Sequence, residues 1–443
     1  MKKFSALLIS GLLAVSLAAC GSESSSTTAA GTSETSTASS SASTSETTSV
    51  STSESAASSE FAPALDTSTE ATLYVVGSWG NFEALDQVAL DFQKYYPGVE
   101  VVYTKLDDYR NDLANKFVTG EEIDLFMNAW WDTEYTANDN IIENAEDLYD
   151  SGIDFSNIDP DMLSTGLAGD ELVMVPIYLD TYGCMVNTDI FAAAGVDVPG
   201  NYEELLSACE ALAAAGYDQP IYANSSIYGK TFTGYYMERL LAGSDEVTAL
   251  DETIAHIDAL YDTGYVSTEG DSLEDSYNAV IMKFFEGDTA IVPFSGSSYS
   301  GTKKREAKSE EFTAEPFSYA FIGAPYSDGD GSVYIDQLGT IYMGVYKNST
   351  QIDLANEFLR FMLTNDEMLV LQEIKNMPTT NIYNGLDNFP YLADAELYCN
   401  TTEGISSLDE ERINNVLNLY EPGTDHAEMY EKMNDYLENG ING

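Results

Sequence analysis

The chain has 443 residues, with 18 Lys and Arg against 74 Asp and Glu and a formal net charge of −56. Phosphate affinity comes from Lys and Arg, so this balance excludes non-specific nucleic-acid binding through a basic groove and opposes electrostatic docking on anionic lipid. The hydrophobic fraction of 44% is that of an ordinary globular protein, so a large core is available, and the length suggests two or three domains.

Residues 1–19 read as a signal peptide. Lys2 and Lys3 precede an apolar stretch, Phe4 to Leu17, that is too short to span a bilayer stably. It ends in Leu17-Ala-Ala-Cys20-Gly21, which resembles the lipobox of bacterial lipoproteins and implies lipidation of Cys20. Of the 39 residues from 22 to 60, 26 are Ser or Thr and five are Glu. No run of apolar residues there offsets the entropy of ordering, so a disordered tether is expected, extending to about residue 66. As a flexible coil its span is roughly 35 Å. Cys184, Cys209 and Cys399 are odd in number and lack C-x-x-C spacing, so they read as buried small hydrophobes.

Beyond residue 70 the periodicity alternates. Thr72–Val76 is a β-branched run closed by Gly77, and Glu83–Tyr96 carries apolar residues at helical spacing until Pro97-Gly98. Val99–Tyr103 predicts a second strand, Asp108–Thr119 a helix stopped at Gly120, and Ile123–Met127 a third strand. Such alternation predicts βαβ units and a mostly parallel sheet. Downstream, Asn201-Tyr-Glu-Glu204 has the form of a capping box opening a helix to Ala215. Ser276–Glu286 reads as helix, Thr289–Phe294 and Tyr319–Ile322 as strands, Ile352–Thr364 as helix, and two acidic helices near 409–420 and 425–438 end the chain.

Leu172–Asn187 with its Val-Pro-Ile-Tyr core, Thr188–Gly195, Asn201–Leu206, Phe285–Val292, Ala355–Phe361 and Met377-Pro-Thr379 follow one another in this order. Together they resemble the family 1 extracellular solute-binding proteins of bacterial ABC importers, the group holding maltose- and oligosaccharide-binding proteins. Tyr202 stands where the family usually has Trp, and Gly296-Ser-Ser-Tyr299 where it often has Gly-Ser-Trp. The resemblance implies an α/β, two-lobed periplasmic-binding-protein-like fold of type II with the ligand cleft between lobes. Lobe I would take residues 67–180 and 320–375, and lobe II residues 181–319 and 376–443, with crossings near 178–186 and 320. It also implies a monomer on the outer face of the cytoplasmic membrane, held there only by its lipid anchor. There it would capture a sugar or oligosaccharide for ABC permease subunits, without catalytic residues, metal or cofactor.

Sugars need flat aromatic surfaces and short polar side chains in fixed geometry. The three Trp residues, Trp79, Trp130 and Trp131, each follow an expected strand end, and Asp132 adjoins the last two. Asn81 and Glu83 sit where the first helix begins, and Asp180 and Tyr182 lie at the expected crossing. Tyr235, Tyr236 and Tyr299 are candidates on the second lobe. The basic cluster Lys303-Lys304-Arg305…Lys308 reads as a solvated stretch balancing Glu306, Glu310 and Glu311, with contact to the other lobe or to a transporter subunit as the alternative. Two other functions fit the residues less well. A ferric-ion or cationic-ligand binder of the same fold would use Tyr235-Tyr236, and a surface glycosidase would use two of the 74 carboxylates. With only His256 and His426, a His-based metal or catalytic centre has little to draw on.

Overall fold

The computed structural model describes residues 61–78, 83–128, 139–273, 276–327, 334–335, 338–383, 389, 396–397 and 407–439. Two five-stranded sheets organise them. The first has the spatial order Val99–Lys105, Ala71–Gly77, Leu125–Asn128, Leu338–Val345, Val175–Asp180. The second runs Tyr319–Gly323, Tyr182–Asn187, Ile291–Ser295, Ile221–Tyr222, Val266–Ser267.

Strand alternation explains why both sheets are covered on both faces. In the first, Leu73, Val75, Leu125, Met127, Val175 and Met343 point into one hydrophobic cluster with the helices Glu83–Phe92 and Ile352–Met362. Val76, Phe126 and Tyr342 point into another. In the second, Cys184, Val186 and Ile291 face one cluster, while Met185, Val292, Phe294 and Phe321 face another. Each sheet therefore has its own core, and the molecule is a two-lobed α/β protein.

The sheets are mixed, which corrects the expectation of a mostly parallel one. Ala71–Gly77 is parallel to both of its neighbours, as the βαβ reading requires. Leu338–Val345, however, enters from the other lobe instead of through a crossover helix, and lies antiparallel to Leu125–Asn128 and Val175–Asp180. Tyr182–Asn187 is likewise antiparallel to Ile291–Ser295 and Tyr319–Gly323.

Two chain passages between the sheets are visible. At the first, Thr181 alone separates Val175–Asp180 from Tyr182–Asn187. The second was expected near residue 320 but comes later. Tyr319–Gly323 still pairs within the second sheet, so the chain leaves that sheet after Gly323 and enters the first at Leu338. The boundary expected at 376 also moves, because Met377 packs in the first lobe's cluster and Thr379 bridges Tyr178. Residues 61–66, expected to belong to the tether, are among the described residues. Phe61 is buried against Tyr95 and Phe361 at 5.2 and 4.9 Å, with the Arg360 guanidinium 4.3 Å above its ring. Cys20 and the rest of residues 1–60 lie outside the described residues.

The expected caps are present. Asn201 Oδ1 accepts from Glu204 N at 2.9 Å, and Gly120 ends its helix in the left-handed region at φ 67°. Cys184 and Cys209 are free and buried, while Cys399 lies outside the described residues. Both histidines do structural work: His256 Nε2 meets Tyr326 O at 2.9 Å, and His426 Nε2 meets Asp258 Oδ2 at 3.2 Å. No helix among the described residues is long and apolar enough to cross a membrane.

Candidate functional site

A buried carboxylate lies at the one-residue passage at Thr181. Asp180, 1% exposed, accepts through Oδ1 from its neighbour Thr181 N at 2.8 Å and from Ser297 N of the opposite lobe at 2.7 Å. Its Oδ2 and the Thr181 hydroxyl are buried with no hydrogen-bond partner among the described residues. Burial pushes the Asp180 carboxyl up, opposed by the Ser297 and Thr181 donors and by the charge of Lys230. Gly296 makes this approach possible, since a Cβ there would sit 2.4 Å from Thr181 Oγ1.

Lys230 ends the short helix Ser225–Lys230 and is 1% exposed. Its ammonium lies 5.5 Å from the centre of the Tyr182 ring. Desolvation pulls it down to about 7, against the attraction of Asp180. The helix is fixed at its start by Asn224, whose Oδ1 caps Ile227 N, and by Asp271, which accepts from Asn224 Nδ2 and Ser225 N. On its far side Gly229 lets the helix Ser407–Leu417 come close, because a Cβ would meet Leu417 O at 2.3 Å.

Beside these groups opens a cavity of about 1010 Å³. Its second-lobe wall is hydroxyl-rich. Tyr277 Oη bonds Ser295 Oγ at 3.0 Å and also Ser298 Oγ. Ser295 Oγ in turn meets Ser297 Oγ at 3.0 Å and accepts from Ser298 N at 3.2 Å, capping the turn Gly296–Ser300. Lys375, the last residue of the first lobe's helix Asn365–Lys375, and Asn418 complete the lining. A cavity of this volume with fixed hydroxyls and amides suits a small polar solute.

The sequence candidates fall in different places. Asp180 and Tyr182 lie at the passage, against Ser297 and Lys230 respectively. Tyr235 is buried and stacks on His256 at 4.1 Å with Arg239 over it at 4.6 Å; Tyr236 is buried in the same lobe core. Tyr299 packs on Phe321 at 5.5 Å. None of these three is among the described lining residues of the cavity. Trp79, Asn81, Trp130, Trp131 and Asp132 lie outside the described residues, and Glu83 is the first residue of its helix. Sequence reasoning passed over Lys230, Tyr277, Ser297 and Lys375. The one available signal was a lysine set among Ile227, Tyr228 and Phe232, a neighbourhood that predicts burial. The basic stretch at 303–308 divides. Lys303 pairs with Glu306 at 2.8 Å, while Lys304, Arg305 and Lys308 line the cavity.

The family profile described as bacterial extracellular solute-binding protein matches residues 77–369, well over half of the chain. The chain belongs to that family. Among solved structures, the chain is similar to the GacH receptor of Streptomyces glaucescens, solved unliganded and with acarbose, at 18% identity and TM-score 0.60. The match covers 84% of this chain and 99% of that one. It is also similar to RafE in complex with raffinose, at 16% identity, TM-score 0.57 and coverage of 84% and 100%. Maltose-bound MalE3 of T. maritima follows at 16%, TM-score 0.56 and 83% and 99%. At these identities the likeness shows the shared fold. The chain has no match among curated protein sequences.

Proposed function

We propose that this extracellular solute-binding protein captures a sugar or oligosaccharide in the cavity beside Thr181 and delivers it, chemically unchanged, to an ABC import permease. The observation that carries the reading is the linked hydroxyl wall of Tyr277, Ser295, Ser297 and Ser298, set where the chain passes between lobes. Hydroxyls and amides held by one another present donors and acceptors in fixed directions, as a polyol requires. The neighbours solved with acarbose, raffinose and maltose support the same ligand class. In this reading Cys20 is the lipid attachment site, and the Ser/Thr-rich residues after it are the tether holding the body at the outer face of the cytoplasmic membrane as a monomer. The aromatic residues Trp79, Trp130 and Trp131 would add stacking surface, with Asn81, Glu83 and Asp132 beside them.

A melting-temperature screen tests this reading. A cognate saccharide raises the midpoint according to RT ln(1 + [L]/Kd). No shift with any mono- or oligosaccharide, alongside a shift with an amino acid or polyamine, would overturn the carbohydrate assignment.

A further inference from the structure

The cavity wall carries a charge opposite to that of the molecule. The chain has 18 Lys and Arg, and five of them, Lys230, Lys304, Arg305, Lys308 and Lys375, line this one cavity. No carboxylate is among its described lining residues, although acids outnumber bases 74 to 18.

We propose that the cavity selects a carbohydrate carrying an anionic group, a carboxylate, sulfate or phosphate, over its neutral counterpart. This rests on the carbohydrate-binding reading above. A net charge of −56 repels anions over the whole surface, so anion capture requires a focused local patch of the opposite sign, and low-dielectric walls strengthen such a patch. The cations arrive from separate elements: the helix Ser225–Lys230, the turn at 302–308 and the end of the helix Asn365–Lys375. Arg305 is fixed in the wall by donation from Nη1 to Ser298 O at 2.8 Å, which orients a planar donor group suited to a carboxylate or oxyanion. Lys230 is a buried member of the lining. Bringing a cation here would cost Coulomb repulsion from Lys304, Arg305 and Lys308, so the patch also disfavours a cationic ligand.

The test is calorimetric titration of the full chain with matched pairs. These are galactobiose against digalacturonate, and glucose against glucose 6-phosphate and glucose 6-sulfate; maltose and raffinose serve as neutral references. At least one charged member should bind tenfold or more tighter than its neutral parent, about the factor one good charge-assisted contact supplies, and the tightest one names the anion. A combined Lys304→Gln, Arg305→Gln, Lys308→Gln variant should lose that preference. Its unliganded melting curve checks that it remains folded, and Lys303→Gln should leave the preference intact. If a neutral saccharide binds and every charged counterpart binds equally or more weakly, the anionic proposal falls while carbohydrate binding stands. Binding of no saccharide at all overturns both. A preference that persists in the folded triple variant also overturns the proposal.

Discussion

Lys230 is a lysine in a place where an ammonium is poorly solvated, held down to about 7 by burial. Between pH 7 and its unfolded value of 10.5, the unfolded chain binds one proton more than the folded one. Stability therefore rises with pH across that window, by about 1 kcal/mol per pH unit at most from this group. A Lys230→Met variant removes the term. Denaturant midpoints measured from pH 7 to 9 should climb in the wild type relative to the variant, and parallel curves would contradict the burial argument. Glu357 shows the opposite arrangement, a buried carboxylate that is fully used. It accepts from Tyr96 Oη at 2.5 Å, Ala64 N at 2.8 Å, and Arg360 Nε and Nη2 at 2.8 and 2.9 Å. Replacing it by Leu strands the Arg360 charge and two other donors, and should lower stability by about 3 kcal/mol or more in urea unfolding.

Elements meet at close approaches that a single methyl would block. In the helix Ser225–Lys230, Gly229→Ala would gain about 1 kcal/mol in helix propensity. Its Cβ, however, would meet the backbone carbonyl of Leu417 at 2.3 Å, so the helix carrying Lys230 and the helix Ser407–Leu417 must separate. A net loss of about 1–3 kcal/mol is expected, read as a lowered melting midpoint; a gain would show that the C-terminal helix is free to shift. Elements with a clear start and stop were legible in the sequence. Asn201 and Gly120 announced their caps, and the helix Ile352–Met362 showed its apolar face. The strand Leu338–Val345 was not legible. It is buried on both faces and holds two glycines, so it has no polar alternation to read. The helix Glu246–Asp262 escaped because its buried positions, such as Ala249, Leu250, Thr253 and Ile257, are interspersed with acids and small residues. At the site, Asp180 could be placed at the passage from the order of motifs. Lys304 and Arg305 could not, because a charge run looks the same whether it faces solvent or a cavity. Nothing in the sequence signalled that Tyr235 would stack on His256 beneath Arg239.

At the scale of the molecule, two cores are joined through Thr181 and the chain between Gly323 and Leu338. A ligand that contacts Lys375 on one lobe and Ser297 on the other binds a closed arrangement better than an open one, and so shifts the equilibrium toward closure. Small-angle scattering with a saturating saccharide should therefore give a smaller radius of gyration than the unliganded protein; no change would mean that the lobes do not move about these passages. Whether the hydroxyl wall of this cavity holds a saccharide is read most directly by titration calorimetry of the full chain with the saccharide that raises the melting point most, repeated on Tyr277→Ala. Tyr277 Oη holds Ser295 and Ser298 in place and its ring lines the cavity. The wild type should show one site per chain, and the variant, still folded, an affinity weakened about tenfold or more. An unchanged dissociation constant in Tyr277→Ala would contradict it.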